Sequence, residues 1–192
     1  MPRATVVLSD RIHLPTSERT RALLLVAAGA LLTALSAQIS FVLPWTPVPV
    51  TGQTFAVLVV GASLGWRLGA GSQLLYVALG LTGLPVYADG TGGWAVATGS
   101  TAGYLVGFIL TAALVGAMAE RHQDRSLLTS VPAMLTGSAL IYLCGATWLS
   151  IHLGVSASEA VELGVAPFLI GDALKIVAAG AGLPLIWSRL KR

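Results

Sequence analysis

The sequence contains few charged residues, one cysteine and no phosphate-binding lysine loop. Only 10% of its residues are charged, whereas soluble domains carry roughly 25%. The single cysteine, Cys144, excludes a disulfide within the chain and a metal site with two thiol ligands. The dipeptide Gly-Lys does not occur, which excludes a Walker A loop that would cradle ATP phosphates. A soluble domain, a disulfide scaffold and an ATPase are therefore all disfavoured.

Apolar residues dominate what remains, and they predict an all-α polytopic membrane protein. The hydrophobic fraction is 55% and the mean hydropathy is +0.82. Asp, Glu, Lys and Arg are absent from four long stretches, 22–66, 68–88, 90–119 and 126–158. One membrane crossing needs about 20 apolar residues, and three prolines divide the first stretch. A single integral membrane domain over 1–192 is expected, with residues 1–21 as an N-terminal segment and six spans near 22–43, 52–65, 68–86, 101–119, 131–152 and 165–187.

The distribution of basic residues predicts the orientation. With six spans, all the basic residues that flank them fall on one side, namely Arg3, Arg11, Arg19, Arg21, Arg67, Arg121, Arg125, Arg189, Lys191 and Arg192. The opposite connections contain Asp89, Glu159 and Glu162 and no Lys or Arg. By the positive-inside rule, both termini are expected in the cytoplasm of a cell that carries the protein in its plasma membrane. This role accounts for the basic pI, so no nucleic-acid partner is expected.

Two opposite charges, Asp172 and Lys175, interrupt the last predicted span. A charge at the bilayer centre costs roughly 2.5–3.5 kcal/mol, and a spacing of three places both on one helical face. One interpretation is a structural ion pair that holds the span against the bundle. The other is a polar binding site, because intramembrane ionisable residues commonly mark function. Counted from Gly164, Asp172 is expected about 12 Å and Lys175 about 16 Å along the helix, within an outward-facing pocket.

Polar and aromatic residues of the predicted outer loops are candidates for the rest of this pocket. They are Thr51, Gln53, Thr54, Tyr87, Trp94 and Tyr104. Aromatic walls with a few polar groups are typical of small-molecule sites. Simpler interpretations are an interfacial belt for Trp94 and capping of the second span for Thr51 and Gln53. The convergence of these residues on the side of the charged pair favours a binding site.

Several ordered motifs resemble the BioY family, the biotin-specific S components of energy-coupling factor (ECF) transporters. "PVPVTGQTFAVLVVG" is similar to the family's "PVPVTLQTLAVLLAG", "GSTAGYLVGF" to "GPTGGYLLGF", and "PFLIGDALK" to "PFLPGDLLK". The resemblance covers nearly the whole chain after residue 22. The departures at Gly52, Ser100, Ala102 and Ile170 affect loop stiffness and packing and leave the charged pair intact.

The resemblance implies a high-affinity biotin-binding membrane subunit of an ATP-driven importer. Asp172 would accept hydrogen bonds from the ureido N–H groups, and Lys175 would meet a polar or carboxylate oxygen, or the two roles would be reversed. Gln53 and Thr51 would close the site, and Tyr87, Trp94 and Tyr104 would pack against the ring system. Biotin is the transported ligand, and neither a cofactor, a metal nor a catalytic residue is expected.

The resemblance also implies partners, a membrane coupling subunit and two cytoplasmic ATPases. Ala30 and Ala34 have the small-xxx-small spacing at which helices approach closely, and the family uses such an alanine motif for its partner. Packing within the chain is the alternative for this pair. Alternative functions are a stand-alone proton-coupled carrier with Asp172 as the proton site, an S component for another small vitamin, and an intramembrane enzyme. The enzyme is disfavoured because no second carboxylate, metal cluster or His pair shares the membrane region.

Overall fold

The structure, a computed structural model, describes residues 7–12 and 15–190. The predicted topological signals Arg3, Lys191 and Arg192 lie outside these residues. The described α-helices are α1 Glu18–Ala37, α2 Gln53–Leu81, α3 Trp94–Ala97, α4 Ala102–Glu120, α5 Leu127–Leu153, α6 Ala157–Gly164 and α7 Leu169–Leu190. Short 3-10 turns occupy Leu8–Arg11, Ala88–Gly90 and Ala166–Phe168. The all-α expectation omits one small feature, an antiparallel pair of two-residue strands, β1 Ser40–Phe41 and β2 Val50–Thr51.

Five helical segments within the described ranges are long and apolar enough to cross a membrane. They are Glu18–Ala37, Gln53–Leu81, Ala102–Glu120, Leu127–Leu153 and Ala157–Leu190. The last of these contains α6, a 3-10 turn and α7. The chain is therefore a multi-pass helical membrane protein, as its composition predicts.

Helix α2 is bent back on itself at Gly65. Gly65 has φ 81° and ψ 174°, a conformation open to glycine and strained for other residues. The side-chain amide of Gln53 donates to the Tyr76 hydroxyl at 2.7 Å. A straight helix would separate these two residues by about 34 Å. The two arms, 53–64 and 66–81, therefore run antiparallel. This bend gives six helical segments and places the second and third close to their predicted positions.

Several helix ends differ from the predicted bounds: the second arm of α2 ends at Leu81 and not at 86, and α5 begins at Leu127 and not at 131. Helix α1 ends at Ala37 instead of continuing to 43. The side-chain amide of Gln38, which follows it, donates to the carbonyls of Ala34 and Tyr87. Helix α7 begins at Leu169, four residues after its predicted start, because a 3-10 turn that contains Pro167 precedes it. Asp172 consequently lies in the first turn of α7, and not about 12 Å along a helix that starts at Gly164.

The bundle has two different ends. The long-loop end contains the connections 38–52, 82–101 and 154–168, and the terminus end contains the bend at Gly65, the connection 121–126 and both ends of the described chain. At the terminus end Val7 packs into an apolar cluster with Leu58, Val115, Met134 and Leu183. Arg21 of α1 donates to the Ser9 and Ile12 carbonyls and holds residues 7–12 there. This end of the bundle is closed by apolar packing.

A buried polar contact ties the 121–126 connection to the end of α7. Asp124 is 1% exposed, and its Oδ2 accepts a hydrogen bond from the Trp187 indole. The Arg125 guanidinium lies 4.3 Å from the centre of the Trp187 ring. Within the described residues, Oδ1 of Asp124 has no hydrogen-bond partner. Burial raises the pKa of Asp124, since it disfavours the charged carboxylate.

Gly65→Ala is expected to destabilise the fold by roughly 1–3 kcal/mol, because a side chain strains the positive φ at the bend. The added Cβ would also lie 2.6 Å from the Glu120 carboxylate oxygen that accepts from the Trp66 amide. Thermal unfolding in detergent measures the effect. Gly182→Ala in α7, where a Cβ has no neighbour within 4 Å, is the matched control. Equal melting temperatures for the two variants would contradict the bend.

The raised pKa of Asp124 predicts a pH dependence of stability. Its native carboxyl binds a proton more readily than the unfolded one, so its contribution to the free energy of unfolding rises as pH falls through the native pKa. This window lies above the ordinary value of 3.8. Asp124→Asn removes the titration, and wild type should gain in melting temperature relative to this variant as the pH is lowered. A difference that stays constant across pH would refute the effect.

Candidate functional site: a polar network in a cavity at the long-loop end

A cavity of about 330 Å³ opens at the long-loop end and reaches the start of α7. Small-molecule pockets of roughly 300–1,000 Å³ are common, so the volume suits a small ligand. Residues from several elements line it, including Thr51, Gln53, Thr54, Tyr76, Tyr87, Tyr104, Phe108, Tyr142, Phe168, Asp172 and Lys175. The cavity thus brings together six of the seven predicted ligand-binding residues: Thr51, Gln53, Tyr87, Tyr104, Asp172 and Lys175.

Asp172 and Lys175 form the centre of a hydrogen-bond network. Nζ of Lys175 donates to Oδ1 of Asp172 at 2.6 Å, to the Thr51 carbonyl at 2.6 Å and to Oγ1 of Thr54 at 3.0 Å. The Thr54 hydroxyl in turn donates to Oδ1 of Asp172 at 2.9 Å. The pair therefore joins α7 to β2 and to the first arm of α2.

Tyr142 of α5 completes the coordination of the carboxylate. Its hydroxyl donates to Oδ2 of Asp172 at 2.6 Å, so both carboxylate oxygens accept hydrogen bonds. Asp172 also lies in the first turn of α7, where the positive end of the helix dipole favours a negative charge. A carboxylate with its cation and two hydroxyl donors is stabilised far better than an isolated buried charge.

The two charged side chains differ in their access to the cavity. The Asp172 side chain is 4% exposed and the Lys175 side chain is 20% exposed. Both lie near the floor of the cavity, and Asp89 is on its rim in the exposed loop. Among the described lining residues, Lys175 is the sole Lys or Arg. Any cationic contribution to ligand binding from the cavity wall must therefore come from this residue.

A second polar chain runs along the α2 wall. The Thr51 hydroxyl donates to Oε1 of Gln53 at 2.8 Å, and Nε2 of Gln53 donates to the Tyr76 hydroxyl at 2.7 Å. The Gln53 backbone N–H also donates to Oγ1 of Thr51 at 3.3 Å, which forms a local turn just before α2. The N-cap of α2 is Gly52, and it makes no side-chain cap hydrogen bond, so Thr51 and Gln53 line the cavity without capping the helix.

Aromatic rings form the apolar walls. The Tyr104 hydroxyl donates to the Gly164 carbonyl at 2.6 Å, and its ring lies 6.3 Å from that of Phe168. The ring fits against α5 because a Cβ on Gly145 would collide with it. The Tyr87 hydroxyl donates to the Val77 carbonyl at 2.8 Å, which fixes the ring of a loop residue against α2. The two tyrosine rings are thus fixed by the hydrogen bonds of their hydroxyl groups.

The structure does not bring two predicted residues, Trp94 and Ala30, to the positions expected of them. Trp94 is 70% exposed and is not among the cavity-lining residues, although Ala95 and Val96 are. Ala30 is 2% exposed and packs in the core of the chain, and Ala34 packs against the same core. Packing within the chain therefore describes Ala30, whereas for the half-buried Ala34 the partner contact stays a prediction.

Tyr142 and Tyr76 were missed by sequence reasoning. Both lie in the middle of apolar stretches and carry no charge that would single them out. The available signal was a phenol hydroxyl inside a membrane span, which needs a hydrogen-bond partner there. Tyr76 reaches the site only because the bend at Gly65 returns the second arm of α2 to the long-loop end. The described residues contain no group of three or more His, Cys, Asp or Glu that could hold a metal ion.

The comparisons with known proteins agree with one another. The BioY family model matches residues 8–192. Over 185 residues the chain is 35% identical to the biotin transporter BioY of Rhizobium etli, covering 88% of this chain and 98% of that one. It is 37% identical over 150 residues to the biotin transporter BioY of Thermotoga maritima, covering 78% and 85% of the two chains.

A solved structure has the same fold. It is a crystal structure described as the S-component for biotin from an ECF-type ABC transporter. The TM-score is 0.81 at 22% sequence identity, and the likeness covers 92% of this chain and 95% of the other. With the family match and the relatives above, this agreement leaves one assignment: the chain belongs to the BioY family.

Proposed function

We propose that this protein captures biotin at the outer face of the membrane as the substrate-binding subunit of an ATP-driven ECF importer. The observation that carries the proposal is the buried network of Asp172, Lys175, Thr54 and Tyr142 at the floor of an aromatic-walled cavity. A structural ion pair would not need a cavity beside it. Biotin is proposed as the ligand because the relatives of this chain are biotin transporters.

The chemistry of the cavity suits biotin. A ureido group offers two N–H donors, and Oδ2 of Asp172 accepts one hydrogen bond from Tyr142 with further acceptor capacity left. The apolar ring system would lie between the rings of Tyr104, Phe168 and Tyr87, which line the same cavity. Gln53 and Thr51 would contact the ligand from the α2 side. Trp94 is left out of this proposal because of its exposure.

The long-loop end would face the outside. The connections at that end carry Asp89, Glu159 and Glu162, whereas Arg67, Arg121, Arg125 and Arg189 lie at the terminus end. By the positive-inside rule the terminus end is cytoplasmic, together with both termini. The cavity then opens to the side from which an importer must collect its ligand.

Energy for import would come from partner subunits, a membrane coupling protein and two ATPases. The sequence has no Walker A lysine of its own. Helix α1 presents a continuous exposed face in which Ala27 and Ala28 lie among Leu23, Leu24 and Leu31. Small residues on such a face permit close helix approach. This face, rather than the buried Ala30, is proposed as the contact with the coupling subunit.

Asp172→Asn is expected to weaken biotin binding by at least about 30-fold, since truncating a buried, hydrogen-bonded charge pair costs roughly 2–5 kcal/mol. Isothermal titration of purified protein in detergent, without ATP, measures the affinity and the stoichiometry. Glu159→Gln removes an acidic charge from exposed α6 and should leave binding unchanged. Unchanged affinity in Asp172→Asn would refute the site. Binding of another vitamin in preference to biotin would refute the ligand.

Ala27→Trp is expected to abolish most co-purification with the coupling subunit while biotin affinity stays within about twofold. The indole would block close approach at an exposed position of α1 without touching the cavity. Ile151→Trp, at a 71% exposed position of α5, is the control for a bulky residue on the membrane-facing surface. Normal complex formation by Ala27→Trp, measured by affinity pull-down, would show that this face is not the contact.

A further inference from the structure

A second cavity, which we call the α5–α6 groove, lies between these two helices. Its volume is about 580 Å³, compared with about 330 Å³ for the cavity described above. Seven residues of α5 between Ala139 and Ile151 line one side, and Ala157, Val161 and Val165 line the other. Among the described residues that line it, none carries a charge. The groove is therefore suited to an apolar occupant.

The groove exists because α7 covers only the first part of α5. At the terminus end these two helices pack closely, since a Cβ on Gly180 would lie 2.8 Å from the Val131 side chain. Helix α7 begins only after the 3-10 turn that contains Pro167, and the eight-residue α6 packs beside the second half of α5. Helix α6 presents the small side chains of Ala157 and Val161 to this half. They leave unfilled the space that a longer packed helix would occupy.

The groove opens on the membrane-facing surface. Helix α5 is one of the segments apolar enough to cross a membrane, and its groove residues Leu143 and Ile151 are 65% and 71% exposed. Large apolar side chains that a membrane-spanning helix leaves uncovered face lipid chains. Two of the polar lining residues donate their hydroxyl hydrogens to the protein, Tyr142 to Asp172 and Ser150 to the Val155 carbonyl. The wall offered to an occupant is thus largely apolar.

The length of the groove matches one leaflet of a bilayer. Ala139 and Ile151 are separated by about 18 Å along a helix axis. The hydrocarbon core of a bilayer is about 30 Å thick, so one leaflet contributes roughly 15 Å. A membrane-spanning helix of a partner would need a groove across the full thickness. A lipid chain that enters from the long-loop end and stops near the middle of the membrane fits this groove.

The charges at the long-loop end favour one class of lipid headgroup. Its connections carry Asp89, Glu159 and Glu162 and contain no Lys or Arg. An anionic headgroup would meet like charges there, whereas the ammonium group of a zwitterionic lipid would meet opposite ones. Phosphatidylethanolamine, which carries such an ammonium group, is the lipid that this end would accept.

We propose that the α5–α6 groove binds one acyl chain of a zwitterionic phospholipid from the leaflet at the long-loop end. Tyr142 borders both this groove and the ligand cavity, so the chain packs on one side of a wall whose other side faces the ligand. Without the chain, the Tyr142 side chain loses packing contacts on the groove side. The lipid site depends on the groove alone, and its effect on the ligand rests on the proposed function.

Native mass spectrometry of protein purified in detergent tests the lipid site. The probes are dioleoyl phosphatidylethanolamine and dioleoyl phosphatidylglycerol, added in equal amounts. Wild type should retain one phosphatidylethanolamine per chain and at least about fivefold less phosphatidylglycerol. Ala146→Phe fills the groove and should lower the retained fraction about tenfold. Ala178→Phe, at an exposed position of α7 outside the groove, is the matched control and should retain lipid as wild type does.

A second variant keeps this test valid if Ala146→Phe fails to fold. Ala157→Phe fills the groove from an exposed position of α6 and should also lower lipid retention about tenfold. Retention equal to that of wild type in the folded groove variants would overturn the site. A preference of wild type for phosphatidylglycerol would overturn the assignment of a zwitterionic lipid.

Isothermal titration with biotin tests the effect on the ligand cavity. Wild type stripped of lipid should bind biotin about threefold or more weakly than the same protein with phosphatidylethanolamine restored. In Ala146→Phe the new ring takes the place of the chain, so added lipid should change the affinity by less than about 1.5-fold. Lipid retention without an effect on wild-type affinity would refute the coupling through Tyr142. If wild type bound no biotin with or without lipid, the proposed function would fail, and the retention measurement would still decide whether the groove binds lipid.

Discussion

A carboxylate inside a membrane protein must keep its hydrogen bonds, and the arrangement around Asp172 follows from this requirement. Its partners come from three places that are far apart in the sequence: Lys175 from its own helix, Thr54 from the first arm of α2, and Tyr142 from α5. The removal of any partner leaves a polar group without compensation in a medium of low dielectric constant. The network therefore fixes the mutual positions of α2, α5 and α7 as well as the floor of the cavity.

The bend at Gly65 makes this network possible. It ends the first arm of α2 at residue 64, and this arm presents Thr54 to the first turn of α7. It also returns the second arm to the long-loop end, where Tyr76 meets Gln53. A straight helix with the same apolar residues would be equally compatible with a membrane, but it would place Tyr76 far from the site. One backbone conformation thus determines which polar groups share the cavity.

The charged pair, the helical class and six of the seven candidate ligand-binding residues that line the cavity could be predicted from the sequence, because each depends on a local pattern. Charges in an apolar run are visible, and so are motifs such as "GDALK". Sequence reasoning could not reach Tyr142, whose role depends on the rotation of α5 toward α7, or the exposure of Trp94, which depends on the course of a loop. For Ala30, the spacing of small residues indicates close packing but does not distinguish a partner from a neighbouring helix of the same chain. These properties belong to tertiary packing and have no equivalent in the linear pattern.

The difference between the two ends of the bundle limits how the protein can work. The long-loop end holds a polar, aromatic-walled cavity, whereas the terminus end is filled by an apolar cluster that includes Leu58, Met134, Leu183 and Val7. A polar ligand on the cavity floor would have to pass this tightly packed cluster to reach the other side, and the cost of desolvation opposes its passage. A carrier that worked alone would have to open this packing in each cycle. The closed terminus end therefore favours the proposed capture subunit, which would hold its ligand until partners act, over the alternative of a stand-alone carrier.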